Sequence, residues 1–234
     1  MGSSLKDWTK LLGNFTWSGL AIVVRSITGI LVSKLIALYF GAVGIGLFAH
    51  LQNIVVFFTQ LPQEGINRGL IALLADVKEQ SRQREWFSLA LLLTGVAMLL
   101  FVLVLLLGAD WFLQAIAQQF SLSIGWVALA VCFMMVAFFC QCLLIARARL
   151  LAYFLASLFG SASLILSVAL AVLYSDSLYS MVLAWLLGLG GLAISALVAG
   201  MIARAIPKAA SNLPAQGMQH YGHYIIMALV GVCC

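Results

Sequence analysis

The sequence predicts an all-α integral membrane protein: a six-helix transmembrane bundle plus the start of a seventh helix, with its N-terminus cytoplasmic. Three observations predict this. Of the 234 residues, 65% are apolar and 8% charged, against about 45–50% and about 25% in a soluble domain. Apolar runs long enough to cross a hydrocarbon layer of about 30 Å, which takes about 20 helical residues, recur six times along the chain. Lys and Arg collect on alternate sides of those runs. The mean hydropathy of +1.15 excludes a soluble globular domain, a disordered chain and a fibrous repeat.

The elements follow in order. Residues 1–16 form an amphipathic lead, with Leu5, Trp8, Leu12 and Phe15 set against Lys6, Asp7 and Lys10, and are expected to lie in the membrane interface. The bundle occupies residues 17–203. Its first span is Trp17–Phe40, and the turn Gly41-Ala42-Val43-Gly44 leads into a second that runs towards Ala75. A straight helix over Val43–Ala75 would be about 50 Å long, far more than a bilayer. Pro62 and Gly65 therefore predict a break or kink. The charged stretch Asp76–Trp86 must be solvated. The third span is Phe87–Leu107, and Gly108–Ser123 is a loop with an amphipathic piece. The fourth span is Ile124–Ala146, the fifth Leu150–Tyr174 and the sixth Leu178–Ala203. Residues 204–220, with Pro207 and Pro214, form a polar cytoplasmic loop between bundles. Residues 221–234 are apolar but too short to cross, and read as the truncated start of a seventh helix.

Orientation follows from the basic residues. One side carries nine of them: Lys6, Lys10, Lys78, Arg82, Arg84, Arg147, Arg149, Arg204 and Lys208. The other side carries none, and its charges are Asp110 and Asp176. The basic side is expected to be cytoplasmic. A net charge of +5 would suggest a nucleic-acid partner on a soluble protein, but this chain has too few charges to build a phosphate-binding face, and none is expected. The apolar run after Lys6 and Lys10 resembles a signal peptide, yet it carries Arg25 and Lys34, leads into further spans and lacks a small-residue cleavage site. The five cysteines give no disulfide framework and are expected to serve as packing residues.

Three basic residues remain, Arg25, Lys34 and Arg68, and with Glu64 they carry most of the functional information. A charge at the centre of a membrane helix costs about 2.5–3.5 kcal/mol on insertion scales, so such residues usually face a bundle interior or a watery cavity. Arg25 lies one third of the way along the first span, where snorkelling is awkward. Lys34 is nearer the outer end, within reach of that interface. At about 100° per residue the two are half a turn out of phase, so both face one cavity only if the helix bends, for which Gly29 is the candidate. Glu64 and Arg68 are four apart with the acid first, the favourable order for an intrahelical ion pair. Either they neutralise each other, or Pro62 and Gly65 unwind the helix beside a cavity and Arg68 becomes a cationic ligand.

Weaker candidates for a polar cavity are His50, Gln52, Asn53 and Gln60, with Gln141 on the fourth span. Amides in membrane helices more often bond between helices than hold a substrate. Gly188, Gly190 and Gly191 read as close helix packing, since no strand precedes them. His220 and His223 are not spaced as a metal site, and no Walker motif, nucleophile elbow or paired carboxylates occur. An enzyme is not expected, nor a cofactor or metal. Positive charges facing a cavity favour an anionic cargo, phosphate above all.

The run Leu31-Val32-Ser33-Lys34-Leu35-Ile36-Ala37-Leu38-Tyr39-Phe40-Gly41-Ala42-Val43-Gly44-Ile45-Gly46-Leu47-Phe48 resembles the first helix, turn and second-helix start of bacterial Wzx-type flippases. These are the O-antigen and lipid III translocases of the multidrug/oligosaccharidyl-lipid/polysaccharide (MOP) exporter superfamily. Gly65-Ile66-Asn67-Arg68-Gly69 is similar to their second-helix end. The resemblance implies one half of a two-bundle, MATE-like fold in the bacterial inner membrane, with members about twice as long as this chain. It implies movement of undecaprenyl-pyrophosphate-linked oligosaccharide between leaflets by alternating access, for surface polysaccharide biosynthesis. The cationic cavity would carry over onto Arg25, Lys34 and Arg68, with the sugars travelling in the cavity and the lipid tail staying in the bilayer. Implied partners are the lipid-linked oligosaccharide, membrane lipids, and polysaccharide polymerase and chain-length machinery.

Two other classes stay open. An ion-coupled antiporter of small molecules would need buried carboxylates, for which Glu64 is the candidate. A structural membrane subunit without transport would pair its intramembrane cations.

Overall fold

The computed structural model describes residues 2–76, 80–108, 123–175 and 177–203. The described residues are helical apart from short turns. Helix α1 spans Gly2–Pro62, a single π-helical turn follows at Gln63–Asn67, and α2 spans Arg68–Asp76. Then come α3 (Gln80–Leu107), α4 (Ile124–Ala146), α5 (Leu150–Tyr174) and α6 (Leu178–Ile202). Five of these helices are long and apolar enough to cross a membrane, and the chain is a multi-pass membrane protein. The side chains of the lead at 2–15, residues 109–122 of the expected amphipathic loop, the expected loop 204–220 and the expected seventh-helix start 221–234 lie outside the described residues.

The first apolar helix, Thr16–Gln60, holds 45 residues, about 68 Å if straight. It is not straight. Gly41 has φ 63° and ψ −157°, a backbone region essentially reserved for glycine. The chain reverses there, because Arg25 before the turn and Asn67 after it line the same small pocket. Gly44 completes the turn: a Cβ there would collide with the Cβ of Phe40. We call the two parts of α1 on either side of Gly41 its first and second arms.

Pro62 and Gly65 do not unwind the second arm. Proline removes one backbone donor from the helical ladder, and the ladder responds by widening for one π turn. Pro62 and Arg68 both keep right-handed helical dihedrals, so α2 continues the helix with its register shifted. The π turn is tied to α4 by Cys142, whose Sγ–H donates to the carbonyl of Asn67 at 3.1 Å.

The remaining helices begin and end on legible signals. Ser123 caps α4, its hydroxyl accepting from the backbone N–H of Gly125 at 3.3 Å. At the other end Ala148 takes φ 52°. The N–H of Arg149 bonds Leu144 O at 2.8 Å and that of Ala148 bonds Ile145 O at 2.9 Å. These paired bonds form the Schellman arrangement that closes a helix. Between α5 and α6 the backbones approach closely: a Cβ on Gly188 would lie 3.1 Å from the Cα of Leu164, and one on Gly160 would lie 3.0 Å from the Cα of Leu192. Small residues permit this contact, which drives helix association where lipid removes the hydrophobic advantage. The largest buried cluster joins both arms of α1 to α3, α4, α5 and α6, with Phe48 edge-on to Trp185 at 5.0 Å between ring centroids.

Nothing lies within 4 Å of a Cβ built on Gly41, so a side chain there is opposed by the backbone conformation alone. Gly41→Ala is expected to destabilise the protein by about 1–3 kcal/mol, read as a lower unfolding temperature in detergent. An unchanged or raised unfolding temperature would contradict the reversal at this residue.

Candidate functional site: a guanidinium between two cavities

Arg25 sits on the first arm of α1 and turns inward. Its Nη2 donates to Oε1 of Gln141 on α4, in a short hydrogen bond, and to the hydroxyl of Ser157 on α5 at 3.1 Å. The guanidinium carbon lies 5.3 Å from the ring centroid of Tyr153 on α5. Gln141, Ser157 and Tyr153 are all buried. A hydrogen bond to a charged group contributes about 1.5–3 kcal/mol and a desolvated cation–π contact about 2 kcal/mol. Together these offset the cost of placing the charge in the membrane. Among the described residues no carboxylate pairs with Arg25, so its charge is solvated by neutral dipoles and not cancelled.

Arg25 stands between two cavities. The larger, of about 670 Å³, lies among both arms of α1, α4, α5 and α6. Its walls are mostly apolar, including Ile30, Val56, Met134, Leu164 and Leu189, with Gln52 and Ser161 among the polar exceptions. The smaller, of about 190 Å³, lies among Arg25, the π turn, α2, α4 and Tyr153. Its walls are more polar than those of the larger cavity, with Glu64, Asn67, Arg68 and Gln141 among them. Three buried atoms at this pocket have no protein partner: Arg25 Nε, Gln141 Nε2 and Asn67 Oδ1.

The structure thus brings Arg25, Glu64 and Arg68 to one pocket, although Arg25 and Arg68 belong to different arms of the chain. Glu64 Oε2 and Arg68 Nη2 are 2.5 Å apart, an ion pair across the π turn. The Arg68 side chain is 70% exposed and that of Glu64 27%, so this pair is loosely held compared with Arg25. Lys34 is exposed and lines neither cavity, as its half-turn offset from Arg25 on a helix unbroken at Gly29 requires. Gln52 is exposed and lines the larger cavity, while His50, Asn53 and Gln60 are exposed and line neither. Pro62 and Gly65 are buried and shape the π turn. Among the described residues no group of three or more His, Cys, Asp or Glu side chains is arranged to hold a metal ion.

In the sequence Gln141 reads only as a generic interhelical amide, and Asn67, Ser157 and Tyr153 are not among the candidate site residues. One signal was available: Tyr153, Ser157 and Ser161 recur every four residues on α5, a polar stripe on one face of a mostly apolar helix. No known protein family, characterised protein or solved structure matches the chain.

Removing the acceptor from a buried charge should cost far more than removing an exposed ion pair. Gln141→Leu is expected to destabilise by about 1–3 kcal/mol or more, and Arg68→Ala by about 0.5 kcal/mol or less, compared by thermal unfolding in detergent. Equal effects, or a larger one for Arg68→Ala, would contradict the assignment of Arg25 as the held charge.

Proposed function

We propose that the protein translocates an undecaprenyl-pyrophosphate-linked oligosaccharide across the bacterial inner membrane by alternating access. Arg25 would be the residue that receives the pyrophosphate. The single observation that carries this reading is a guanidinium inside an apolar helical bundle, held by neutral groups and bordering a cavity of about 670 Å³. A charge kept for architecture alone is normally paired. One that is kept uncompensated and facing a cavity is suited to an anion, and the planar fork of arginine suits phosphate oxygens. The similarity of Leu31–Phe48 and Gly65–Gly69 to Wzx-type flippases supports the same reading, and the Gly41 reversal falls inside the first of these stretches.

In this account the Gly41 turn divides the first apolar helix into two spans, giving six in all. The nine-to-none distribution of Lys and Arg sets the basic end, with Arg147 and Arg149, in the cytoplasm. The smaller pocket, with Arg68 and Glu64, then faces the side from which the cargo arrives. Arg68 adds positive potential at the entrance, and Arg25 neutralises the pyrophosphate where the surroundings become apolar and electrostatic attraction strengthens. The ion pair across the π turn offsets part of the charge of Arg68, which makes Arg25 the dominant contact.

Losing one charge-assisted contact of about 1.5–3 kcal/mol corresponds to roughly a 10- to 100-fold loss. Arg25→Gln is therefore expected to slow translocation of a lipid-linked oligosaccharide by that factor in proteoliposomes of the intact gene product. Arg68→Ala should have a smaller effect. Unimpaired translocation by Arg25→Gln would reject the role of the charge.

A further inference from the structure

The two cavities that meet at Arg25 differ in chemistry, and that difference gives the site a direction. The larger is walled mostly by aliphatic and aromatic side chains, and two of its wall residues, Ile30 and Val56, keep exposed apolar surface. A hydrocarbon chain can therefore enter it from the lipid without leaving an apolar environment. The smaller is walled by three amides (Gln63, Asn67 and Gln141) and an ion pair, with Ile71, Phe138 and Ile145 beside them. Two of its side chains, Gln141 and Asn67, are 3% and 6% exposed, and each carries a polar atom without a protein partner, a donor on Gln141 and an acceptor on Asn67. Buried polar atoms are nearly always bonded, so an unbonded donor and acceptor on one pocket mark a place where a ligand's own donors and acceptors fit.

We infer that the site binds a phosphate amphiphile in a fixed orientation: the phosphate on Arg25, the isoprenoid chain in the larger cavity, and the hydroxyl-bearing sugar on Asn67 Oδ1 and Gln141 Nε2 in the smaller pocket. The inference rests on the reading of the chain as a carrier of phosphate-linked glycans, and it reverses the simplest expectation for such a carrier, that sugars fill the larger of the two cavities at Arg25. The volumes agree with it. About 190 Å³ holds some six water volumes, room for the sugar nearest the phosphate and not for a longer glycan, which must extend beyond the pocket. Arg25 holds its place through Nη2 on Gln141 and Ser157, which leaves the rest of the guanidinium for the phosphate.

Two substitutions separate the halves of the site. Gly29 lines the larger cavity, and a Cβ built on it meets nothing within 4 Å, so Gly29→Leu is the substitution chosen to fill apolar space there. Asn67→Leu replaces the unpartnered carbonyl by a group of similar size. The test is binding of three monophosphates, inorganic phosphate, farnesyl phosphate and glucose 1-phosphate, to the full chain in phosphatidylcholine nanodiscs. The unsubstituted protein should bind each substituted phosphate about tenfold more tightly than inorganic phosphate. Gly29→Leu should erase the advantage of farnesyl phosphate and keep that of glucose 1-phosphate. Asn67→Leu should do the reverse. Each variant's retained advantage is its own evidence of folding. The opposite crossing, a parallel loss of both advantages, or no effect of either substitution overturns the orientation while leaving phosphate binding in place. Failure of all three probes to bind the unsubstituted protein overturns the carrier reading and the orientation with it.

Discussion

The structure depends on how one positive charge is kept inside an apolar bundle. Among the described residues no carboxylate pairs with Arg25, since Glu64 in the same pocket is bonded to Arg68. Arg25 is held instead by an amide from α4, a hydroxyl from α5 and the face of a tyrosine ring. Each of these groups solvates a cation without cancelling it. A paired arginine would be electrically silent, and an unsupported one would pull away towards water. This arrangement avoids both outcomes, and it fixes the mutual positions of the first arm, α4 and α5, because all three must supply groups to one guanidinium.

Two departures from regular helix make that convergence possible. The Gly41 dihedrals send the chain back along its own path, so residues on the second arm return to the level of Arg25. The π turn at Gln63–Asn67 then shifts the register of the helix at that level. Single π turns inside α-helices are frequent at functional sites, and here the turn brings Glu64, Asn67 and Arg68 to the pocket that Arg25 also lines. The result is an apolar cavity and a more polar pocket that meet at Arg25 and Phe138.

Much of the fold was legible in the sequence. Ile124–Ala146 and Leu150–Tyr174 have the expected bounds because long apolar runs there end at sharp polar signals, Ser123, Arg147–Arg149 and Ser175. The opposition of Arg25 and Lys34 followed from helical phase alone. The Gly41 turn was legible as a glycine-rich interruption, and the Glu64–Arg68 pair as an i, i+4 spacing. The π turn was not, because Pro62 and Gly65 announce that the ladder must change without saying whether it breaks or widens. The partners of Arg25 were hidden for a different reason. Gln141 and Ser157 lie 116 and 132 residues away in sequence, and only the packing of α4 and α5 against the first arm brings them near.

The central claim is that Arg25 is a charged, uncompensated anion receptor. The most direct measurement is a solid-state NMR distance between phosphorus of added pyrophosphate and the guanidinium nitrogens of Arg25, assigned by comparison with Arg25→Gln, in the membrane-reconstituted protein. The account predicts phosphorus–nitrogen dipolar coupling at hydrogen-bonding range that vanishes in the variant. Coupling that persists in Arg25→Gln, or is absent from the unsubstituted protein under saturating pyrophosphate, would contradict it.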